Sequence, residues 1–350
     1  MAARVRRGAQ VDPVGPREVR GMDSATFLIR PLTDSDHGAM ARIENAINPR
    51  TPITADEIRH WVEALRIVPG RPTVRLSVED RRSGEMVAFG QLSHDLFGFH
   101  PREFWVGVSV DLEHRRQGIG QEVYSRLERE ALPLQAASLR SGIREDDEGA
   151  ARFLARQGFV PRRKLWNSRL DLTQVDLSTF PDRSESLGKG GFRFTTLAEE
   201  GTDRADVRER LYHLSLASSK DVPRIGKFRG FSQEEFEHAD VEGPKVLPDA
   251  VFLAAYGNEF VGWTTLTREL ASPDTLGVGF TGTHPEYRGR GIASELKRRA
   301  VEYARSHGYR YLITTNDSLN PRIWAINQKL GFHPETTWVQ AEKLLPAEPT

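Results

Sequence analysis

The apolar positions of this chain recur with two periods, and the alternation of those periods lays out its elements. Short apolar or alternating runs at 27–32, 74–79, 86–92, 105–110, 138–143 and 164–172 predict strands. Spacings of three and four predict helices at 36–45 and 54–66, the second with Thr54 as its N-cap. Another helix follows residue 118, with Ile119, Val123 and Leu127 on one face, and ends near Leu132 and Pro133. A short one at 148–157 stops at Gly158, a natural C-cap. From 171 to 191 apolar residues become sparse and Pro181, Gly188, Gly190 and Gly191 appear, the composition of a linker.

The pattern then restarts. A strand at 192–197 and a helix at 204–218 precede an irregular stretch at 220–230. Ser232 opens a short helix, with Glu235 completing a capping box. Runs at 250–256 and 259–267 form a hairpin around Gly257 and Asn258, followed by a strand at 276–283. Ile292, Leu296 and Ala300 mark a helix that runs to about His307. A strand at 311–315, a helix at 321–330 capped by Gly331 and a strand at 338–344 complete the set. The two halves therefore repeat, each with a largely antiparallel sheet and flanking helices, in an α+β (mixed α/β) class. The expected division is an N-terminal domain at 26–174, a linker at 175–190 and a C-terminal domain at 191–347.

One construction occurs in both halves. A strand enters a glycine-bearing turn, and the turn opens a helix: Arg115-Arg116-Gln117-Gly118-Ile119-Gly120-Gln121, then Arg288-Gly289-Arg290-Gly291-Ile292-Ala293-Ser294. The first turn of a helix has unpaired N–H groups and the positive end of the dipole, so it receives phosphate. Glycine lets the backbone come close to such a ligand. From the first arginine of each loop to the Gly-Phe that closes a late helix is 43 residues in both halves, Arg115 to Gly158 and Arg288 to Gly331.

Length and composition narrow the class. At 350 residues the chain suits two domains. Forty-nine basic residues balance 49 acidic ones, which argues against a general nucleic-acid binder. No cysteine is present to form a disulfide, a thiolate metal site or a thiol nucleophile. No His or carboxylate spacing suggests a metal. No apolar run is long enough to span a bilayer. Residues 1–25 carry arginines and no apolar h-region, so they read as a disordered or over-long N-terminus and not as a secretory signal. A cytoplasmic protein without membrane or nucleic-acid partners is expected.

Arg-x-x-Gly-x-Gly/Ala behind a strand, with Gly158-Phe159 and Leu330-Gly331-Phe332 at the later helix ends, resembles the GNAT superfamily of N-acetyltransferases. The resemblance runs from about residue 27 to 345 as two copies. Tandem members exist, mycothiol synthase among them, and the architecture carries no substrate with it. It implies two tandem GNAT-like domains and acetyl-CoA as co-substrate. The diphosphate would sit on the backbone N–H groups of Arg116 to Gln121 and of Gly289 to Ser294, beside Arg115 and Arg288. The pantetheine arm would pair with Val108, Ser109 and Val110, and with Thr281, Gly282 and Thr283, as an added strand. A backbone N–H there would polarise the thioester carbonyl. Asn320 falls where the family often has an asparagine touching CoA, and Asn316 ends a strand at the cleft. The first half has Asp147 in the place of Asn320, and an ionised aspartate cannot donate.

The family often has a tyrosine four residues before the closing glycine, as acid to the leaving thiolate. Here the positions hold Leu154 and Asn327, of which Asn327 is left to hydrogen-bond the sulfur. An amine acceptor, pKa near ~10.4, must lose a proton before attack. Glu286 is the expected base, with His284, Glu113 and Glu103 as other groups near the strand ends. The expectation is an N-acetyltransferase acting on a small-molecule amine, with the second half active because it has both the loop and Asn320. A non-catalytic acyl-CoA sensor and a transferase of longer acyl groups are the alternatives. No pattern in 45–53 or 220–230 selects an acceptor.

Overall fold

A computed structural model describes residues 21–67, 71–95, 100–225, 227–228 and 230–346. Most of the N-terminal tail expected at 1–25 lies outside the described residues. The first half contains β1 (Phe27–Pro31), α1 (His37–Ile47), α2 (Ala55–Ile67), β2 (Val74–Asp80), β3 (Met86–Ser93), β4 (Glu103–Val110), α3 (Ile119–Ala131), β5 (Ser138–Arg144), α4 (Glu148–Arg156) and β6 (Val160–Asp171). Next come α5 (Ser184–Lys189), β7 (Phe192–Thr196), α6 (Leu197–Glu200), α7 (Ala205–Ser219) and α8 (Gln233–Asp240). The remainder is β8 (Val246–Tyr256), β9 (Glu259–Arg268), β10 (Thr275–Thr283), α9 (Ile292–Ser306), β11 (Tyr311–Asp317), α10 (Pro321–Leu330) and β12 (His333–Leu344).

The apolar faces read from the sequence are the buried ones. Ile119, Val123 and Leu127 of α3 are at most 1% exposed and pack with Phe104, Val106 and Leu139. Ile292, Leu296 and Ala300 of α9 take the same seat over Leu266, Leu276 and Leu312. On the opposite face, α1 and α2 bury Ile43, Ile58 and Val62 against Met86 and Phe89, while α7 and α8 bury Leu211, Leu214 and Phe236 against Trp263. Each half is thus a sheet covered on both faces, as the period of its helices requires.

The twelve strands form one sheet in the order β1-β2-β3-β4-β5-β12-β6-β11-β10-β9-β8-β7. Two pairings are parallel, β4 with β5 and β10 with β11, and the other nine are antiparallel. The last strand of each half is exchanged. β12 pairs with β5 of the first half from Trp338–Arg144 to Leu344–Ser138, and β6 pairs with β11 of the second from Tyr311–Asp171 to Asp317–Leu165. β6 and β12 then pair with each other at the centre. The sheet therefore has no border at the expected linker.

That linker is itself packed. Residues 177–179 form a 3-10 turn and α5 follows, with Phe180 and Leu187 buried in the second core. The N–H of Arg183 donates to the buried Glu295 carboxylate at 3.1 Å. Sparse apolar residues were enough here because two of them are large and reach the same core.

A fragment ending at residue 190 would leave β5 and β6 without β12 between them and expose an internal sheet edge. We expect residues 21–190 alone to lose cooperative thermal unfolding by circular dichroism, and added 191–346 to restore it. A second outcome concerns Asp36, which accepts both guanidinium Nη groups of Arg30 at 2.8 Å and the N–H of Thr33 at 2.7 Å, tying β1 to the start of α1. Arg30 pulls its carboxyl from 3.8 down to about 2, against burial. The stabilisation, about 2 kcal/mol, is present above pH ~4 and is lost as pH falls through the folded pKa. Denaturant titrations should find Asp36→Asn less stable by about that amount at pH 7, with the gap closing towards pH 2.

Candidate active site

The parallel pair in the first half is short. β4 and β5 pair only over Glu103–Ser138, Phe104–Leu139 and Trp105–Arg140, and then diverge. Val106 to Val110 keep their partners in β3 and have none in β5. Peptide groups left open on one side of a strand are ready to pair with an extended ligand. β10 and β11 repeat the arrangement, pairing from Thr275–Tyr311 to Val278–Thr314 and then separating.

Both openings end at a glycine loop. Gly118 (φ 80°, ψ −10°) and Gly291 (φ 88°, ψ 6°) sit in the left-handed region at the N-caps of α3 and α9. That conformation turns the chain so that the first-turn N–H groups, which have no intrahelical partner, form an anion-binding concavity. Gly289 takes φ 78°, whereas its repeat mate Arg116 takes φ 65° with a side chain attached. The arginines that open the loops brace them. Arg115 Nε donates to the carbonyl of Val110 at 3.3 Å, and Arg288 Nε donates to that of Thr283 at 3.1 Å, five residues back in each case. Their other nitrogens reach Asp147 at 3.4 Å and Asp221 at 2.5 Å.

In the first half the opening is a cleft of about 1080 Å³. Of the residues expected there, Val108, Ser109, Val110, Arg115, Arg116, Gly118, Ile119, Gly120 and Gln121 line it, and Gln117 does not. Arg144 and Arg156 bring the arginines of the cleft to four, and Trp338 lines it from the exchanged strand β12. At the other side stands Glu44 of α1, which sequence reasoning missed. Its carboxylate accepts from Ser109 Oγ at 2.5 Å and from Asn48 Nδ2 at 3.0 Å, and no cation pairs with it among the described residues. The only signal for it was a glutamate next to Ile43 on the inner face of a helix, and only the fold brings that face to β4.

The second half places its expected residues differently. A Cβ at Gly282 would lie 2.7 Å from Ser218 Cβ and would meet the Phe280 ring, so α7 presses on β10 where the first half has Ser109 facing Glu44. A Cβ at Gly291 would lie 2.7 Å from Cδ of Arg183, so a side chain from the segment between the halves lies over the second loop. Thr281 Oγ1 pairs with Thr264 Oγ1 at 2.7 Å. Asn316 is buried and donates to Ser168 Oγ at 2.8 Å, and Asn327, also buried, donates to Asn316 Oδ1 at 2.7 Å. Asn327 is therefore part of an internal amide pair and not a surface amide, with its Oδ1 unpartnered among the described residues.

Glu286 lies exposed in the 3-10 turn Pro285–Tyr287, at the loop end of β10. The strands part after Val278, five residues and about 16 Å of strand before Thr283. Glu286 therefore stands beyond the end of β10, away from the point where the strands part. Asn320 is the N-cap of α10, accepting from the Ile323 N–H at 3.5 Å, and Asp147 caps α4, accepting from the Ala150 N–H at 2.9 Å. The shared position serves a helix start in both halves. Among the described residues, no helix is long and apolar enough to cross a membrane, and no group of three or more His or carboxylates could hold a metal.

A sheet forked at a short parallel pair, with open strand edges running to a glycine nest, offers a slot for an extended ligand arm that ends in a phosphate. The acetyltransferase (GNAT) family model matches residues 40–159 and again 221–332, and the chain belongs to that family. It is similar to a mycothiol acetyltransferase from Pseudarthrobacter chlorophenolicus, 23% identical over 235 residues that cover 66% of each chain. Among solved structures it resembles a tandem GNAT protein from the clavulanic acid biosynthesis pathway, with TM-score 0.70 and 21% identity over 93% of this chain and 99% of that one. A GCN5-related N-acetyltransferase from Sphaerobacter thermophilus gives TM-score 0.63 and 19% identity over 94% and 99%. These structural likenesses are of fold, and they bear out the tandem arrangement.

If Asn320 serves as a cap, a residue that caps equally well must replace it without loss. Asn320→Asp should leave stability within about 0.5 kcal/mol, and Asn320→Ala should cost about 1 kcal/mol, measured by urea unfolding.

Proposed function

We propose that the chain is an N-acetyltransferase whose first half holds acetyl-CoA and passes the acetyl group to the amine of a small-molecule acceptor. The observation that carries this reading is the polarity of the first cleft. Arg115, Arg116 and a glycine nest stand at one end, and Glu44, without a cation partner among the described residues, stands beside Ser109; Arg144, which also lines the cleft, is engaged by Asp146 and the Ile47 carbonyl. The diphosphate of the cofactor suits the first end. Val106 to Val110 suit the pantetheine arm, and the Val108 N–H would polarise the thioester carbonyl as charge develops there.

An ammonium acceptor suits Glu44. The carboxylate attracts it; one proton passes to water to free the amine's lone pair, and Glu44 takes the second as the nitrogen bonds to carbon. The nitrogen–carbon bond forms, the carbon–sulfur bond breaks, and the electron pair leaves with sulfur. The relatives named as acetyltransferases support the reaction type. Preference for the second half rested on Asn320, and it weakens once Asn320 caps a helix. Arg183 over Gly291, and Ser218 against Gly282, favour the second half as the support for the exchanged strands.

The test pairs binding with turnover. Gly118→Glu should weaken acetyl-CoA binding in calorimetry by about 10²-fold or more, and Gly291→Glu should change it by less than about threefold. Glu44→Gln should keep that affinity while lowering thiol release with a panel of primary amines by about 10²-fold. Loss of binding in Gly291→Glu alone would move the cofactor to the second half. Tight binding without turnover on any amine would favour a sensor.

A further inference from the structure

Where the family resemblance expects a tyrosine to protonate the departing thiolate, the first half has Leu154, whose side chain is apolar, buried and lines the cleft. It has no proton to give. Three side chains with hydroxyl groups line the same cleft, Ser109, Tyr124 and Ser141. Ser109 is engaged with Glu44, and of the other two it is Tyr124 whose oxygen accepts a hydrogen bond from a cationic side chain, Lys343. We infer that Tyr124 of α3 gives the proton to the thiolate of CoA, and that Lys343 of the exchanged strand β12 restores it. This inference rests on the reading of the first half as the acetyl-CoA site.

The depth is right. β4 and β5 are parallel, so α3 between them must run back alongside β4, away from the loop. Tyr124 is six residues past Gly118, about 9 Å down the helix axis. Val108, whose N–H faces the expected carbonyl, is two residues or about 7 Å back from Val110 along the strand. Both therefore lie at comparable distance behind the diphosphate nest. The ring is fixed by edge contacts with Phe153 at 5.9 Å and Phe159 at 6.0 Å.

The hydroxyl is served from behind. It donates to Glu128 Oε1 at 2.9 Å and accepts from Lys343 Nζ at 3.2 Å, while Lys343 also pairs directly with Glu128. When the O–H turns from Glu128 to sulfur, the ammonium still satisfies the carboxylate. Burial, then Glu128, raise the phenol above its usual range, so it stays loaded with its proton at neutral pH. The step balances: the carbon–sulfur pair goes to sulfur, the phenolic proton follows it, Lys343 returns a proton to the phenolate, and Lys343, partly exposed, regains one from water. The acceptor's own proton leaves on Glu44. The same position of the second repeat, 173 residues on, holds Lys297, only 3% exposed and without a carboxylate partner among the described residues. Burial lowers that amine to about 8, and its nitrogen lies 6.0 Å from the centre of the Phe332 ring.

The test is Tyr124→Phe in the full chain, followed by single-turnover thiol release from acetyl-CoA with the panel of primary amines and with water alone. We expect a loss of about 10²-fold with CoA affinity unchanged within about threefold. With S-(4-nitrophenyl) thioacetate, whose thiolate leaves without a proton, the loss should shrink below about threefold. Equal losses on both thioesters, an unchanged rate with acetyl-CoA, or a CoA affinity that falls in step with the rate would overturn the inference. A wild type that binds acetyl-CoA and cleaves it with none of these acceptors would sink the functional reading and this inference with it. Cleavage by wild type and mutant at equal rates would sink only the inference.

Discussion

The early end of the β4–β5 ladder governs this molecule. Within the body of a twelve-stranded sheet, the peptide groups of Val106 to Val110 lack a neighbouring strand on one side, the Val110 carbonyl accepting from Arg115 Nε instead. Backbone groups inside a protein need partners, so the fold is stable only if water or a ligand reaches them. The divergence has a cause on the far side. β5 is held along its whole length by β12, and Arg144 at its end donates to the carbonyl of Ile47 at 2.8 Å, which fastens it to α1. Phe153 and Leu154 of α4 then line the gap. The fork is set by what pulls β5 away from β4.

Duplication supplied two such forks, and neighbouring side chains made them different. Ser109 beside Glu44 keeps the first open and polar. At the matching contact the second has Gly282 against Ser218, whose hydroxyl is already occupied by the carbonyl of Leu214 and the Trp263 indole. A carboxylate open to a cleft attracts a cation, whereas a buried serine on its own helix attracts nothing. Arg183 adds to the asymmetry, since it comes from a segment that stands outside the repeat.

The elements and both glycine loops were legible because their signals are local. A three-four spacing, a cap or a left-handed glycine is decided within a few residues, and Ile119, Val123 and Leu127 lie buried where that spacing puts them. What escaped depends on residues far apart in sequence. Glu44 reaches Ser109 across 65 residues, and Trp338 enters the first cleft from the last strand of the chain. Strand exchange leaves no mark on either strand, because β6 and β12 have equivalent patterns and each fits the other's place. Asn320 shows a different failure. An asparagine ahead of a helix is a capping signal in its own right, and the local role explains it without a ligand.

The exchange also ties the first cleft to the second half. Trp338 and Lys343 belong to β12, which is in register with β5 at Arg144 and Leu139. One lines the cleft and the other holds the Tyr124 hydroxyl. β12 reaches that place only as the last strand of the second half, and β6 reaches β11 only by leaving the first. A sheet slides in register by whole residue pairs and not by small amounts. The second half therefore fixes the wall of the first cleft to within a fraction of a residue, whether or not it ever binds a cofactor.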